Sequence, residues 1–288
     1  MLLPHQPRFA QSAHQRVRGA ARIAYAHARD GQTRLADLYQ RAPCRFLFPD
    51  VEAGEPPQAV LLTTSGGLTG GDVLDVSVRA QAGSCATLAT QAAEKLYRAL
   101  PDEPDSLVQV ALDVESGATL EWLAQETIVF DRARLRREIG VNLTGDARLL
   151  ATESVVFGRA AMGERLQQGR VHEAWRVRRD GRLVWADALR IDGDVQAHRA
   201  AAFGIGDAAG CATVLYAGPD AQALLAPLRD RLADLERVAG ATCFDGLLIV
   251  RLMAPDAALL RTSVRRVAGS LRAMALGLPE ALPRVWTC

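Results

Sequence analysis

Lysine is almost missing. Lys95 is a single lysine among 34 basic residues, the rest being arginine, and 33 acidic residues bring the formal charge to +1. A chain this close to neutral has no basic field to hold a nucleic-acid backbone and no acidic tail to solvate it. Cysteine is sparse too. Cys44, Cys85, Cys211, Cys243 and Cys288 are odd in number, lie far apart and form no CxxC pair. That spacing excludes a disulfide framework and predicts reduced, mostly buried thiols, as in a cytoplasmic protein. Long apolar runs are missing as well. The longest uncharged stretch, Pro56–Gly71, is rich in proline and glycine. It is shorter than the ~20 apolar residues a bilayer requires. The N-terminal residues contain Pro4 and Arg8 and no continuous apolar core, which predicts no secretory signal.

Local catalytic and ligand-binding motifs are also absent. No G-x-S-x-G elbow, HExxH pair or G-x-G-x-x-G turn occurs, and the five histidines are scattered. The densest glycine segment, Ser65-Gly66-Gly67-Leu68-Thr69-Gly70-Gly71-Asp72, lacks the Gly-Lys-Ser/Thr ending of a phosphate loop, and a strand pattern follows where a helix is needed. Two Gly-Gly pairs so placed call for positive φ or a close approach of another segment.

What is present is a core and a strand pattern. Hydrophobic residues make up 49% of 288, enough for a packed interior. Asp30-Gly31 and Asp180-Gly181 each separate two strand-like runs, Gly19–His27 from Gln32–Tyr39 and Val171–Arg179 from Leu183–Ile191. Asp72–Ala80 and Leu107–Val114 alternate, with Leu74, Val76 and Val78, and Val108, Val110, Leu112 and Val114, on one face. Further strands are expected at Gln58–Thr64, Ala118–Leu123, Arg136–Leu143, Ala147–Phe157 and Thr242–Met253. The period changes near the end. Leu224, Leu225, Leu228, Leu232, Leu235 and Val238 predict a helix over 221–238 with a kink or late start at Pro227. Pro255-Asp256 opens a second helix, which Gly277 and Pro279 stop. The expectation is one mainly β domain over 1–288. It comprises a flexible extension at 1–17, a β-rich body at 18–217 and a helix–strand–helix unit at 219–276, with a loop at Gly204–Gly210.

Isolated carboxylates draw attention next. Glu126 has no charged residue within four positions on either side, Asp131 closes the same apolar run, and Glu153 precedes Ser154-Val155-Val156-Phe157. A carboxylate in an apolar strand must be paired, hydrogen-bonded or solvated in a cavity. The arginine-rich run Arg132–Arg137 reads as a solvated strand face pairing with nearby acids.

Several long segments then resemble the urease accessory protein family UreD, also called UreH. They are the glycine segment with its preceding Thr64, ATQAAEKLYRA at Ala89–Ala99, LEWLAQETIVFDRARL at Leu120–Leu135, LLATESVVFGRAAMGERL at Leu149–Leu166, the hairpin WRVRRDGRLVWAD and the terminal PRVWTC. They occur in the family's order from about residue 18 onward. Glu94 departs from the pattern, which has a small or hydroxylated residue before the lysine.

The resemblance implies a helical stack of strands forming one large domain with two α-helices near the C-terminus. It also implies a non-enzymatic role: binding the urease apoprotein, recruiting UreF directly and UreG through it, and serving nickel insertion. It allows a dimer of heterodimers with UreF. No cofactor would be tightly bound; nickel would be in transit, through an internal tunnel. Transit favours weak oxygen ligands over a closed His/Cys site. Asp72, Glu126, Asp131, Glu153 and Glu164 are therefore expected to include lining residues. Ser65, Gly66, Gly67, Gly70, Gly71, Gln91, Lys95 and Tyr97 are structural positions of the motif, with Lys95 and Tyr97 positioning the loop. Two other readings remain open: a β-rich hydrolase or transferase with Glu126 and Asp131 as acid and base, and a stand-alone nickel storage protein.

Overall fold

The computed structural model describes residues 16–287, so most of the extension expected at 1–17 lies outside it. The first strands are β1 (Arg18–His27), β2 (Thr33–Arg41), β3 (Cys44–Leu47), β4 (Gln58–Thr63), β5 (Val73–Ala80) and β6 (Cys85–Thr90). Next come β7 (Glu94–Leu96), β8 (Ser106–Val114), β9 (Thr119–Leu123), β10 (Thr127–Val129), β11 (Arg134–Leu143) and β12 (Arg148–Arg159). The remainder comprises β13 (Glu164–Arg165), β14 (Gln168–Arg179), β15 (Arg182–Asp194), α1 (Val195–Ala200), β16 (Gly210–Ala217), α2 (Ala221–Arg231), β17 (Ala239–Phe244), β18 (Leu247–Ala254) and α3 (Ala257–Leu276).

Two sheets face each other. The first has the order β15-β14-β11-β8-β5-β1-β2 and the second β17-β18-β16-β12-β9-β6-β4-β3. Successive strands alternate between them: β5, β8, β11 and β14 enter the first sheet, and β6, β9 and β12 enter the second. Within each sheet these neighbours run parallel. Parallel neighbours need a long connection. Here that connection is a strand of the opposite sheet, so the chain winds as a helix and adds one strand to each sheet per turn. This is the helical stack the resemblance implied.

Burial follows from the layers. The first sheet buries one face, and β5 and β11 alternate between buried and less buried residues. The second sheet is covered on both faces, by the first sheet and by α2 and α3, so β12 is buried along nearly its whole length. Side chains such as Val78, Leu112 and Val141, fully buried between the sheets, each contribute about 1.5–3 kcal/mol.

The turns carry the expected chemistry. Asp180 (φ 52°) and Gly181 (φ 78°) form a two-residue hairpin in the left-handed region. Asp245 (φ 47°) and Gly246 (φ 73°) do the same, which splits the single strand expected at 242–253 into β17 and β18. On α3, the Asp256 carboxylate accepts from Leu259 N at 2.7 Å. Gly277 (φ 66°) ends that helix, with its N–H on Ala273 O. Three further points differ from expectation. α2 runs through Pro227 from its first turn but stops at Arg231 rather than Val238. The short α1, capped by the Asp194 carboxylate, has too few residues to show a helical period. The loop runs from 201 to 209, Gly210 already belonging to β16.

Candidate functional site

A cavity of about 90 Å³ lies between the sheets, large enough for several water molecules. Leu68, Leu74, Val76, Val110 and Leu135 form apolar walls, and the exposed Gln91 and Ala92 line it where it meets the surface. Its polar lining includes Cys44, Thr63, Glu94, Thr127, Arg137 and Glu153. The Glu94 carboxylate accepts from Thr63 Oγ1 at 3.0 Å, and burial raises its pKa. Burial also pushes the Cys44 thiol up to about 11, with the Glu94 charge adding to the effect. The position that departs from the family pattern therefore lines the cavity.

Strand register builds the inner end. Arg137 on β11 pairs directly with Glu173 on β14, and both side chains face the opposite sheet. Glu153 comes from that opposite sheet, on the face of β12 shared with Leu149, Ala151, Val155 and Phe157. Arg137 Nε donates to Glu173 Oε2 at 2.9 Å, and Nη2 makes a further short contact with the same oxygen. Nη1 donates to Thr127 Oγ1 at 2.9 Å and lies 2.9 Å from Glu153 Oε2. The last contact is ionic, because Oε2 is outside hydrogen-bonding alignment. Glu153 Oε1 accepts from Trp122 Nε1 at 3.0 Å.

Electrostatics follow from this placement. Burial pushes the Glu153 carboxyl up to about 7; the Arg137 cation opposes the shift and the Glu173 charge adds to it. Burial works against the charge on Arg137, but Glu153 and Glu173 outweigh it, and the guanidinium stays protonated. The Arg132–Arg137 run is thus no uniform solvated face. Arg132 and Arg136 are exposed, whereas Arg137 alternates inward with Leu135, Ile139 and Val141.

On the far side of this triad, Glu173 opens into a surface groove of about 560 Å³ with Trp175, Asp187, His198, Phe203, Cys211, Thr213, Arg251 and Met253. Burial and then the Glu173 charge push the Cys211 thiol up to about 12. The Trp175 Nε1 is buried there without a hydrogen-bond partner.

The other expected lining residues sit elsewhere. Asp72 is buried and clamps a turn, accepting from Val17 N and Thr69 N, each at 2.8 Å. Glu126 forms a two-oxygen ion pair with Arg261 of α3 at 2.9 and 3.0 Å. Asp131 Oδ1 accepts from Gln167 N and Gln168 N at 2.8 and 2.9 Å. Glu164 accepts from Asp131 N at 3.2 Å and pairs with Arg159. Of the five, Glu153 lines the cavity; none of the other four lines the cavity or the groove. Glu126 and Asp131 are held by different partners, and neither lines the cavity or the groove.

The glycine motif packs on β7. Leu68 N donates to Lys95 O and Tyr97 N to Leu68 O, both at 2.8 Å, and the Tyr97 hydroxyl donates to Gly66 O at 3.1 Å. Gly67 (φ 136°) lies so close to Lys95 O that a Cβ there would collide with it. Gly70 packs against Ala99 and Glu103, and Gly71 (φ 83°) packs against Arg16. Ser65 Oγ is buried without a partner. Gln91 N donates to Leu61 O at 2.8 Å. Lys95 therefore acts through its backbone, its side chain being exposed.

A second buried network was not anticipated from the sequence. Arg272 of α3 donates to Glu121 Oε1 on β9 at 2.9 Å, pairs with Glu55, and donates to the carbonyls of Pro279 and Ala281 at 3.0 and 2.7 Å. It fastens α3 to the second sheet and to the C-terminal segment. Among the described residues, no group of three or more His, Cys, Asp or Glu is placed to hold a metal ion, and no helix is long and apolar enough to cross a membrane.

The family model described as UreD urease accessory protein matches residues 17–287. The chain is 47% identical over 282 residues to urease accessory protein UreD of Magnetococcus marinus, covering 94% of each chain. It is 41% identical to urease accessory protein UreD of a Methylobacterium species, over 98% of this chain and 97% of that one. It is 42% identical to urease accessory protein UreD 2 of Methylorubrum populi, over 99% of this chain and 95% of that one.

Proposed function

The chain belongs to the UreD family of urease accessory proteins, and from that membership we propose a non-catalytic role in delivering nickel to apo-urease. In this reading it binds the urease apoprotein in the cytoplasm, recruits UreF and, through it, UreG, and passes nickel through its interior. A dimer of heterodimers with UreF would set two such passages side by side. One observation supports the passage: the buried triad of Glu153, Arg137 and Glu173 has two members in the lining of the largely apolar cavity and the third in the lining of the surface groove. Carboxylate and hydroxyl oxygens, with no thiolate–imidazole cage among the described residues, suit an ion that must be released again.

The test is a Glu94→Gln/Glu153→Gln variant co-expressed with urease and the other accessory proteins. Urease purified from those cells should carry less nickel by metal analysis, while the variant still co-purifies with UreF. Full nickel loading in the double variant would exclude the passage and leave the accessory role standing.

A further inference from the structure

The cavity and the groove share no lining residue, and the ion pair between Arg137 and Glu173 links one lining to the other. Arg137 and Glu153 line the cavity, Glu173 lines the groove, and the guanidinium bridges the two carboxylates. The carboxylates come from opposite sheets, so the connection is one cation held between two anions at the layer interface. Resting on the conduit reading above, the geometry points to Arg137 as a displaceable gate. A divalent cation moving between cavity and groove takes the guanidinium's place between Glu153 and Glu173, and the guanidinium then returns and expels it.

Charge balance supports the exchange. With both carboxylates ionised, one guanidinium between them leaves one negative charge in excess, and a divalent cation in its place neutralises both. The guanidinium is not deprotonated in proteins, so it must leave as a cation. It borders the cavity, which gives it room to move. Thr127 Oγ1, now 2.9 Å from Nη1, becomes a third oxygen facing the vacated position. Return of the arginine also answers the release problem. Two buried carboxylates without a competing cation would hold a divalent ion, whereas a tethered cation at high effective concentration drives it out.

Removing the guanidinium should therefore create affinity. If the displaced form of Arg137 is populated at about a tenth or less, its removal tightens binding by about tenfold or more. The full chain carrying Arg137→Met is titrated with Ni²⁺ by calorimetry, and its crystals are examined for anomalous scattering at the nickel edge. The expected result is Ni²⁺ between Glu153 and Glu173, bound about tenfold or more tightly than by the unaltered chain. Urease co-expressed with this variant should carry less nickel, because the ion is retained. Arg137→Lys keeps a cation in place but makes fewer bonds, so it folds even where the methionine variant does not, and its Ni²⁺ affinity should rise about threefold. A folded Arg137→Met with unchanged affinity and no anomalous peak overturns the gate, as does unchanged affinity in Arg137→Lys. Failure of the conduit is read separately: unchanged urease loading with Glu94→Gln/Glu153→Gln rejects the passage whatever the Arg137 variants bind.

Discussion

Arg137 and Glu173 face each other in register on adjacent parallel strands, Nε to Oε2 at 2.9 Å, and both are buried. Glu153 completes the triad from the other sheet. Truncation of the arginine would leave two buried carboxylates without their counter-ion. Arg137→Ala should therefore destabilise the fold by about 3–5 kcal/mol, read from urea denaturation. Arg137→Met/Glu173→Gln removes both charges of one pair at nearly constant volume and should recover most of that loss. An equal loss in both variants would mean that packing, and not the stranded charge, dominates at this position.

Glu153 also links stability to pH. Its folded pKa of about 7 lies above the ordinary glutamate value of 4.5, so the folded state holds its proton more tightly than the unfolded state. The sign follows: this contribution is fully present below the unfolded value and is lost as pH rises through about 7, amounting to about 3 kcal/mol at most. Burial also raises the carboxyls of Glu94 and Glu121, so the slope of the whole protein mixes several groups. Glu153→Gln isolates one. The stability difference between Glu153→Gln and the unaltered chain should shift in favour of the variant between pH 5 and pH 8, measured by urea denaturation across that range. A constant difference would mean that Glu153 titrates near its ordinary value.

The sequence made the strands and helices legible because alternation, Asp-Gly turns and an aspartate N-cap act locally. It disclosed less of the site, for two physical reasons. Arg137 lies in an arginine-rich run, and composition there suggested a solvated face. Its parity with Leu135, Ile139 and Val141 was the signal that it points inward, and Glu173 has the same parity with Val171, Trp175 and Val177. Glu126 looked unpaired because its partner, Arg261, lies 135 positions away on α3. Isolation along the chain says nothing about a partner that a helix brings back across the sheet. The missed hairpin at Asp245-Gly246 is different in kind, since the dipeptide that marks the other two hairpins was present there too.

Gly67 ties the glycine motif to the cavity wall. Its φ of 136° lies where side chains are rarely tolerated, and a Cβ would meet Lys95 O. Leu68, the next residue, is both hydrogen-bonded to that carbonyl and part of the cavity wall. Gly67→Ala should cost about 1–3 kcal/mol and shift β7, which carries Glu94. Gly66→Ala, one position earlier, meets nothing within 4 Å and should be tolerated. Thermal melting of the two variants checks the contrast. Equal stability would mean that the segment rearranges freely and does not brace the wall.

Glu126 and Glu153 provide the last contrast, because in sequence they looked alike. Glu126 is partly exposed and engaged through both oxygens by Arg261, whose other nitrogen donates to Trp286 O at 2.9 Å. That arrangement joins the segment before β10 to α3 and to the C-terminal turn, outside the cavity. Glu126→Gln should weaken the join by about 1 kcal/mol, as for a pair that solvent partly screens. Nickel loading of co-expressed urease should stay at its normal level. Glu153→Gln, by contrast, changes the charge at the junction of cavity and groove and should lower that loading. The two variants carry the same chemical change, so metal analysis of the urease made with each separates position from chemistry. If Glu126→Gln lowers loading as much as Glu153→Gln does, position along the interior route is not what decides loading, and the passage loses its support.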